Sequence, residues 1–512
     1  GGGCIIINAT LGANVDVTIT GASDAVVNLV TEADINIDLA DSTFETLAAT
    51  GAGAVTIDFA EAADLHQAII SGVDTITIEE TAIDDTALDL HDNTTAAIVI
   101  EDTFGTTADI TVRNGVAITA ESDLTSDITL QTDEDEDTSD DTVTLTLEAD
   151  QAGALIVDTS DQEIENLNIT VDLAGSDAND TLTLADIQGN SAAGTNVVIT
   201  STDSDTDVVI TAVDAEIVNG SAIAGEFTIT AQTTNEDLTV YGAEDDTTVT
   251  FAGTSNDSVY IGGDGADDIT IATTSGSAGL SGGAGNDTFT VGGILTAAGA
   301  VGVTGGAGNE PVEVTSDITA GDFSFAGGDG DDVLQYQTTS TSMTDDFFQQ
   351  ISGVEKLEVT GTNTLSVTLG SHAQAAGLVT VSAGNAANSI DAGDYTTGIT
   401  VRGGTGIDTI TGGSAVDFIY GGAGNDVILA GGGSDVIIGG AGSDQIQFTS
   451  NDQFGDNIFG FASGSDVISL DIGGASATTG GTVFAGLFTA SATATTAASL
   501  FKVAGTASTA VV

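Results

Sequence analysis

Aspartates recur every nine residues between positions 403 and 447, and their spacing is the strongest chemical signal in this chain. The segment consists of five consecutive nonapeptides: GGTGIDTIT, GGSAVDFIY, GGAGNDVIL, AGGGSDVII and GGAGSDQIQ. The second position is glycine in every unit, the eighth is isoleucine, and the sixth holds Asp408, Asp417, Asp426, Asp435 and Asp444. Carboxylates at regular positions among glycines offer the oxygen ligands that hard cations prefer.

Each nonapeptide predicts a tight turn followed by a short strand. Glycine adopts backbone angles that other residues avoid, so G-G-x-G favours a turn with exposed carbonyls. The following D-x-I-x alternates with period two, which sends the isoleucine inward. Two units form a flattened coil of about 18 residues, so units two apart stack on the same edge.

Stacking places the aspartates in two columns. Asp408, Asp426 and Asp444 form one column, which we expect to end at Asp444, and Asp417 and Asp435 form the other. Carboxylates at strand spacing, about 4.8 Å, repel each other. A hard cation between successive turns removes that repulsion, because two loops together supply the oxygens it needs. The predicted metal ligands are Gly404, Gly406, Asp408, Gly413, Asp417, Gly422, Gly424, Asp426, Gly431, Gly433, Asp435, Gly440, Gly442 and Asp444.

The five units resemble the RTX (repeats-in-toxin) calcium-binding β-roll, whose repeat is G-G-x-G-x-D-x-U-x with U a large apolar residue. One copy of this motif would be weak evidence for the repeat, but five copies in register are strong evidence. The resemblance implies that the cofactor is Ca²⁺, with several ions bound. A glycine-rich solenoid with acidic turns and no metal is the alternative. Residues 453–472 resemble the segment that closes RTX rolls, through Phe461, Gly464, Asp466, Ile468 and Leu470.

The turn motif recurs at longer intervals in an earlier part of the chain. Its copies are GGDGAD (262–267), GGAGND (282–287), GGAGNE (305–310) and GGDGDD (327–332). This spacing predicts one cation-binding turn per full coil, with ligands at Asp264, Asp267, Asp287, Asp329 and Asp332. Glu310 departs from the motif and precedes Pro311. Because proline cannot donate to a strand ladder, we expect that turn to bind weakly or to face an edge.

The remaining sequence predicts an all-β fold, namely a parallel β-solenoid or β-helix with RTX calcium-binding β-roll segments. Alternating segments such as VDVTITG (15–21) and TVTLTLEA (142–149) predict strands. A run of stacked β-sandwiches is the alternative fold. Helix is expected to be scarce, apart from a short turn beginning at Asp345. The predicted regions are a β-solenoid (1–240), long-period calcium-turn coils (241–345), β-rich connecting coils (346–402), the nonapeptide β-roll with its cap (403–470) and a C-terminal segment (471–512).

The charge of the chain excludes two classes of partner. Its 78 acidic and 4 basic residues give a net charge of −74, which repels phosphate backbones and anionic lipid. Nucleic-acid binding is therefore not expected. No membrane insertion is expected either, because no run reaches the roughly 18 apolar residues of a membrane helix. Divalent cations are the natural counterions.

Catalysis is not expected from this sequence. His66, His91 and His372 are isolated and lack zinc-site spacing. Residues 279–283 match G-x-S-x-G, but within a glycine-rich turn without a strand-to-helix elbow. The segments IISGVDTITI (69–78) and QISGVEKLEV (350–359) resemble segments of RTX-bearing surface-layer (S-layer) proteins. Together with the lack of catalytic motifs, this resemblance predicts a secreted, extracellular structural protein of the bacterial cell surface.

The same resemblance implies how such a protein would assemble and leave the cell. Its subunits would self-associate into a lattice, with contacts to cell-surface polysaccharide made through a region outside this sequence. Residues 471–512 lie where the family carries its type I secretion signal. The alternatives are an RTX adhesin or biofilm-matrix protein, and the C-terminal part of a calcium-dependent secreted hydrolase.

Overall fold

Apolar residues that alternate in the sequence become strands whose every second side chain is buried. In the computed structural model, residues 142–147 alternate between half-buried and buried positions along one strand, as a pleated strand requires. The structure describes the backbone of the strands given below and side chains in the ranges 97–100, 115–121, 141–148, 164–173, 181–188, 195–202, 206–230, 237–252, 257–272, 276–292, 299–316, 322–337, 342–449, 455–462 and 465–469, with Leu130, Val157 and Gln453. The acidic run at 133–140 lies outside the described residues.

The chain divides into two compact units, residues 1–279 and 280–512. In the first unit, consecutive strands of each coil join different ladders. Ladder A contains β1 (Ile5–Leu11), β3 (Ser23–Thr31), β5 (Thr43–Gly51) and β7 (Ala68–Ser71). Ladder B contains β2 (Val15–Thr18), β4 (Ile35–Asp38), β6 (Val55–Asp58), β8 (Thr75–Glu79), β10 (Ala97–Ile100), β12 (Ala117–Ala120), β14 (Thr142–Leu147), β16 (Asn166–Val171), β18 (Asn196–Ser201), β21 (Ile217–Ala222), β23 (Leu238–Tyr241) and β25 (Ser258–Ile261). Ladder C contains β9 (Ala87–Asp89), β11 (Ala108–Val112), β13 (Ile128–Thr132), β15 (Leu155–Asp158), β17 (Thr181–Gln188), β19 (Asp207–Ile210), β20 (Val213–Asp214), β22 (Phe227–Ala231), β24 (Thr247–Thr254) and β26 (Asp268–Thr274).

The second unit is built in the same way, and its strands are described as ladders D, E and F. Ladder D contains β27 (Ala278–Ala284), β29 (Val301–Ala307), β31 (Phe323–Asp329) and β34 (Ile351–Ser352). Ladder E contains β28 (Thr288–Val291), β30 (Pro311–Val314), β32 (Val333–Tyr336), β35 (Lys356–Val359), β37 (Thr380–Ser382), β39 (Thr400–Gly404), β41 (Phe418–Ala423), β43 (Val436–Ala441), β45 (Asn457–Phe459) and β48 (Lys502–Ala504). Ladder F contains β33 (Ser340–Met343), β36 (Thr364–Thr368), β38 (Ser389–Asp391), β40 (Thr409–Thr411), β42 (Val427–Leu429), β44 (Gln445–Phe448), β46 (Val467–Ile472) and β47 (Ala475–Thr479).

Pairing within these ladders confirms the parallel β-solenoid. Neighbouring strands in the described part of each unit are parallel, for example β14 with β16 and β41 with β43. The exception among the described strands is the antiparallel pair β46 and β47. Stacked β-sandwiches consist of antiparallel sheets, so that alternative was wrong.

Short helices interrupt the strands in the second unit. A 3₁₀-helix spans Asp345–Gln350, where the sequence predicted a helical turn. Helix α1 spans Ser371–Ala376 and was not predicted. No helix in the described part of the chain is long and apolar enough to cross a membrane.

Stacked aliphatic side chains form the core of each unit. In the first unit, Ile118, Leu145, Ile169 and Ile199 lie opposite one another on successive strands and are fully buried. In the second unit, the eighth-position isoleucines stack in the same manner, as predicted. Burying each such side chain contributes roughly 1.5–3 kcal/mol, so the stack favours this register in the coils named here.

Candidate metal centre

The turns of the nonapeptide region lie against one another with no room for side chains at their glycines. Gly422 has φ +111°, and a Cβ there would overlap the carbonyl oxygen of Gly404, one coil earlier. The predicted ligand glycines with positive φ are Gly404, Gly422, Gly424, Gly431, Gly433, Gly440 and Gly442. Gly406 and Gly413 lack positive φ, but a Cβ at either would also overlap a carbonyl of the preceding coil. Glycine is therefore required at these positions for close stacking.

The sixth-position aspartates form the two predicted columns. The backbone N–H of Asp408 donates to Oδ1 of Asp426 at 2.9 Å, and that of Asp426 donates to Oδ1 of Asp444 at 3.0 Å. In the other column, the N–H of Asp417 donates to Oδ1 of Asp435 at 2.9 Å. The partners are 18 residues apart, which confirms the predicted coil length. Each column is thus a chain of backbone-to-carboxylate hydrogen bonds between successive coils.

The second carboxylate oxygen of most column members has no hydrogen-bond partner within the described structure. These Oδ2 atoms are buried and belong to Asp408, Asp426, Asp435, Asp444 and Asp456. Asp417 differs, because its Oδ2 accepts a hydrogen bond of 2.7 Å from the N–H of Gly413. An unpaired buried carboxylate oxygen is costly, so the columns require a compensating positive charge.

The raised pKa values of the column aspartates without metal also indicate that a compensating positive charge is required. Burial raises the pKa of Asp435 to about 7. The hydrogen bond from the backbone of Asp417 acts in the opposite direction, whereas the negative charges of Asp456 and Asp417 raise the pKa further. Burial also raises the pKa of Asp408 to about 6 and raises the pKa of Asp426 and Asp444. A neighbouring cation reverses this effect, because it favours the ionised carboxylate.

Both columns extend beyond the residues that the sequence pattern identified. The N–H of Asp435 donates to Oδ1 of Asp456 at 2.9 Å, and the N–H of Asp444 donates to Oδ1 of Asp466 at 3.2 Å. The expectation that one column ends at Asp444 was therefore wrong. Both added aspartates begin a D-x-I-x string, which was the available signal, but their turns lack the glycine pattern.

The proposed closing segment forms a further coil of the roll. Strand β45 pairs with β43, and β46 pairs with β44, so these two strands continue the ladders. Phe461 is half-buried and Ile468 is buried. Gly464 and the side chain of Leu470 lie outside the described residues. The predicted C-terminal segment 471–512 is described only as the strand backbone given above.

The long-period turns of the second unit contain a third set of buried carboxylates. Asp287, Glu310 and Asp332 are each fully buried. The N–H of Glu310 donates to Oδ1 of Asp332 at 2.9 Å, and the N–H of Asp332 donates to Oε2 of Glu355 at 2.8 Å. Burial, followed by the adjacent Asp332 carboxyl, raises the pKa of Glu310 to about 8.

Of the two expectations for the Glu310 turn, weak binding and a position at an edge, the second was wrong. Strand β30, which begins at Pro311, pairs with β28 on one side and β32 on the other. Proline is tolerated because it is the first residue of that strand. Neither Oε1 nor Oε2 of Glu310 has a hydrogen-bond partner in the described region, so this glutamate resembles the column aspartates in its need for a cation.

Three predicted ligands do not join these columns. Asp264 and Asp329 are exposed. Asp267 is buried, but its Oδ1 accepts the N–H of Thr247 at 2.9 Å and its Oδ2 accepts the hydroxyl of Tyr260 at 2.8 Å. The first unit thus supplies Asp267 with hydrogen-bond donors, which the sequence motif did not predict because Tyr260 lies outside the motif.

The donor set of the roll fits a hard cation. A Cβ placed at Gly421 would lie 2.5 Å from both Oδ2 of Asp426 and the carbonyl oxygen of Gly439. A carboxylate oxygen and a carbonyl oxygen of the next coil therefore line the same space. No three His, Cys, Asp or Glu side chains converge on one point among the described residues, so backbone carbonyls must complete the ligand set. Such all-oxygen sites suit Ca²⁺.

Comparison with known proteins supports this assignment for part of the second unit. By its fold and site, the protein belongs to the class of parallel β-solenoids whose stacked turns contain columns of buried carboxylate oxygens. Residues 280–293, 400–428 and 411–446 match the family model of the RTX calcium-binding nonapeptide repeat. No curated protein matches the chain. The chain therefore carries RTX repeats, which are known to bind Ca²⁺ and typically occur in secreted proteins.

Proposed function

We propose that this protein is a secreted structural protein of the bacterial cell surface, in which calcium orders the coils after export, and that it forms a surface layer. The observation that carries the proposal is the pair of buried aspartate columns, in which most members have an unpartnered Oδ2 atom. An ion between successive turns would tie each coil to the next. Order in the roll would then depend on the calcium concentration around it.

Calcium dependence of this kind suits a protein outside the cell. Extracellular calcium-binding modules operate at dissociation constants of about 10⁻⁴–10⁻³ M. Such weak sites stay empty where calcium is scarce and fill where it is abundant. The buried carboxylates of the columns would therefore lack calcium before export and would bind it afterwards.

A structural role is favoured over a catalytic one by the placement of the candidate catalytic residues. The G-x-S-x-G string at 279–283 lies within strand β27, whereas a nucleophile elbow requires a sharp strand-to-helix turn. His372 lies in helix α1 with its Nδ1 3.1 Å from Oδ2 of Asp345. That carboxylate also accepts the backbone N–H groups of Gly370, His372 and Ala373, so the contact holds the start of the helix.

Lattice formation would also require divalent ions. With a net charge of −74, copies of the chain repel each other at low ionic strength. Bridging calcium ions would neutralise acidic surfaces that face one another in a lattice.

Electron microscopy of the purified chain tests this proposal directly. Samples would contain millimolar calcium, the same concentration of magnesium, or a chelator. We expect ordered sheets or tubes with calcium alone. Particles that fold with calcium yet remain dispersed would contradict the lattice while leaving calcium-dependent order intact. The variant Asp426→Ala, imaged beside the wild type, shows whether the lattice depends on the columns.

A further inference from the structure

The coil before the first aspartate repeats the frame of the nonapeptide, with an asparagine at the metal-ligand position. Residues 383–391 read AGNAANSID, which places Gly384 at the second position, Asn388 at the sixth and Ile390 at the eighth. Ile390 lies opposite Ile410 on the adjacent strand. Asn388 is buried, with 4% of its surface exposed. This coil therefore belongs to the same column as Asp408, one step before it.

The backbone and Oδ1 contacts of Asn388 are those of a column aspartate. Its N–H donates to Oδ1 of Asp408 at 2.8 Å, as the N–H of Asp408 does to Asp426. Its own Oδ1 accepts the N–H of Leu365 at 2.8 Å. The other terminal atom, Nδ2, thus corresponds to the Oδ2 of the aspartates in the following turns.

That Nδ2 atom lies among four oxygens. Its two hydrogens are shared among the carbonyl oxygens of Gly384 at 3.1 Å, Ala386 at 2.7 Å and Gly403 at 2.9 Å, and Oδ1 of Asp408 at 3.0 Å. These oxygens come from two successive turns. An amide nitrogen carries two hydrogens that such acceptors can share, whereas a carboxylate oxygen only accepts and would be repelled by them.

We propose that the side-chain amide of Asn388 takes the place of a calcium ion between the turns at 384–388 and 403–408. This inference rests on the proposed binding of calcium by the columns. The row of ion sites would begin one step later, between the turns at 403–408 and 421–426. The coil at 384–391 then closes without metal and presents an ordered surface on which the first ion-dependent turn can form.

The first unit uses a different donor for the same purpose. Oδ2 of Asp267, the atom that is unpartnered in Asp426, accepts the hydroxyl of Tyr260. Tyr260 is fully buried and lies on β25, outside the turn that contains Asp267. In both coils a neutral side-chain donor therefore contacts oxygens of the turn, although its chemical group and the carboxylate oxygen that it reaches differ.

The test is to exchange amide and carboxylate at two successive column positions and count bound ions. Asn388→Asp should bind one more calcium ion per chain than the wild type, measured by native mass spectrometry in millimolar calcium. Its melting temperature should fall in chelator and recover in calcium. The control Asn388→Ala should gain no ion and should melt lower under both conditions, because it loses the amide without adding a ligand.

The reciprocal variant Asp408→Asn should bind one ion fewer and should melt higher than the wild type in chelator. An unchanged ion count in both Asn388→Asp and Asp408→Asn, with calcium bound to the wild type, would overturn this inference alone. Loss of stability in Asn388→Asp that calcium does not restore would also overturn it. A wild-type chain that binds no calcium would overturn both the inference and the proposed function.

Discussion

Asp267 in the first unit and Asp426 in the second occupy the same position of the same motif, yet their surroundings differ. Both are almost completely buried. Asp267 has hydrogen-bond donors on both carboxylate oxygens, from Thr247 and Tyr260. Asp426 has a donor on Oδ1 alone, the backbone N–H of Asp408. The motif therefore fixes where a carboxylate is buried, while the neighbouring coil decides whether protein donors or a cation compensate for its burial.

The largest expected effect follows from removing calcium. In chelator, backbone amides of residues 408–448 should exchange hydrogen rapidly, because the buried carboxylates of successive coils repel each other without an ion. Amides of residues 237–252 in the first unit should stay protected. Hydrogen exchange followed by mass spectrometry, with and without calcium, measures both regions in one sample. Equal protection of the two regions in chelator would contradict the distinction between them.

Matched substitutions of Asp426 and Asp267 test whether a cation compensates for the burial of the first and protein donors for that of the second. Asp426→Ala should lower the free energy of unfolding by about 3–5 kcal/mol in calcium, as removal of one member of a buried ion pair does. In chelator the same change should cost little, since a buried carboxylate without an ion is itself unfavourable. Asp267→Ala should cost about 1–3 kcal/mol in both conditions, because it removes acceptors from buried donors.

Urea denaturation of both variants with and without calcium, monitored by the exchange of peptides from each unit, would measure these differences. A calcium-dependent loss at Asp267 as large as that at Asp426 would show that Tyr260 does not replace an ion. Asp264→Ala provides the control for charge alone, because Asp264 is exposed.

The sequence was informative where chemistry is local and repeated. The stacking of units two apart and the inward isoleucines follow from glycine turns and strand periodicity, and the registers confirm both. Asp456 was missed, and Asp466 was named only as part of the closing segment, because their turns lack the paired glycines of the motif, although their D-x-I-x strings remain. Helix α1 was missed because its six residues are too short to show a helical period.

The donors that replace a cation could not be read from the motif. The Tyr260 hydroxyl reaches Asp267 from another strand of the coil, so the contact depends on how the coil's interior is filled. Asn388 lies in the repeat frame, but its role depends on four oxygens that converge only after two turns have stacked. Such contacts are set by the packing of neighbouring coils, which a linear pattern does not specify.

The smallest expected effect is a pH dependence that changes sign with calcium. Burial raises the pKa of Asp435 from 3.8 to about 7, and the pKa values of Asp408 and Asp456 to about 6. In the metal-free state the folded roll then binds more protons than the unfolded chain between about pH 4 and pH 7, so its stability falls as pH rises through that window. In chelator, the melting temperature of the roll should therefore be higher at pH 5.5 than at pH 8.

With calcium bound, the order should reverse. Protons compete with the ion for the same carboxylates, so affinity and the stability derived from it increase with pH. Melting curves at several pH values in chelator and in millimolar calcium would give slopes of opposite sign. Slopes of the same sign would mean that the column carboxylates titrate independently of the ion, which is incompatible with their role as its ligands.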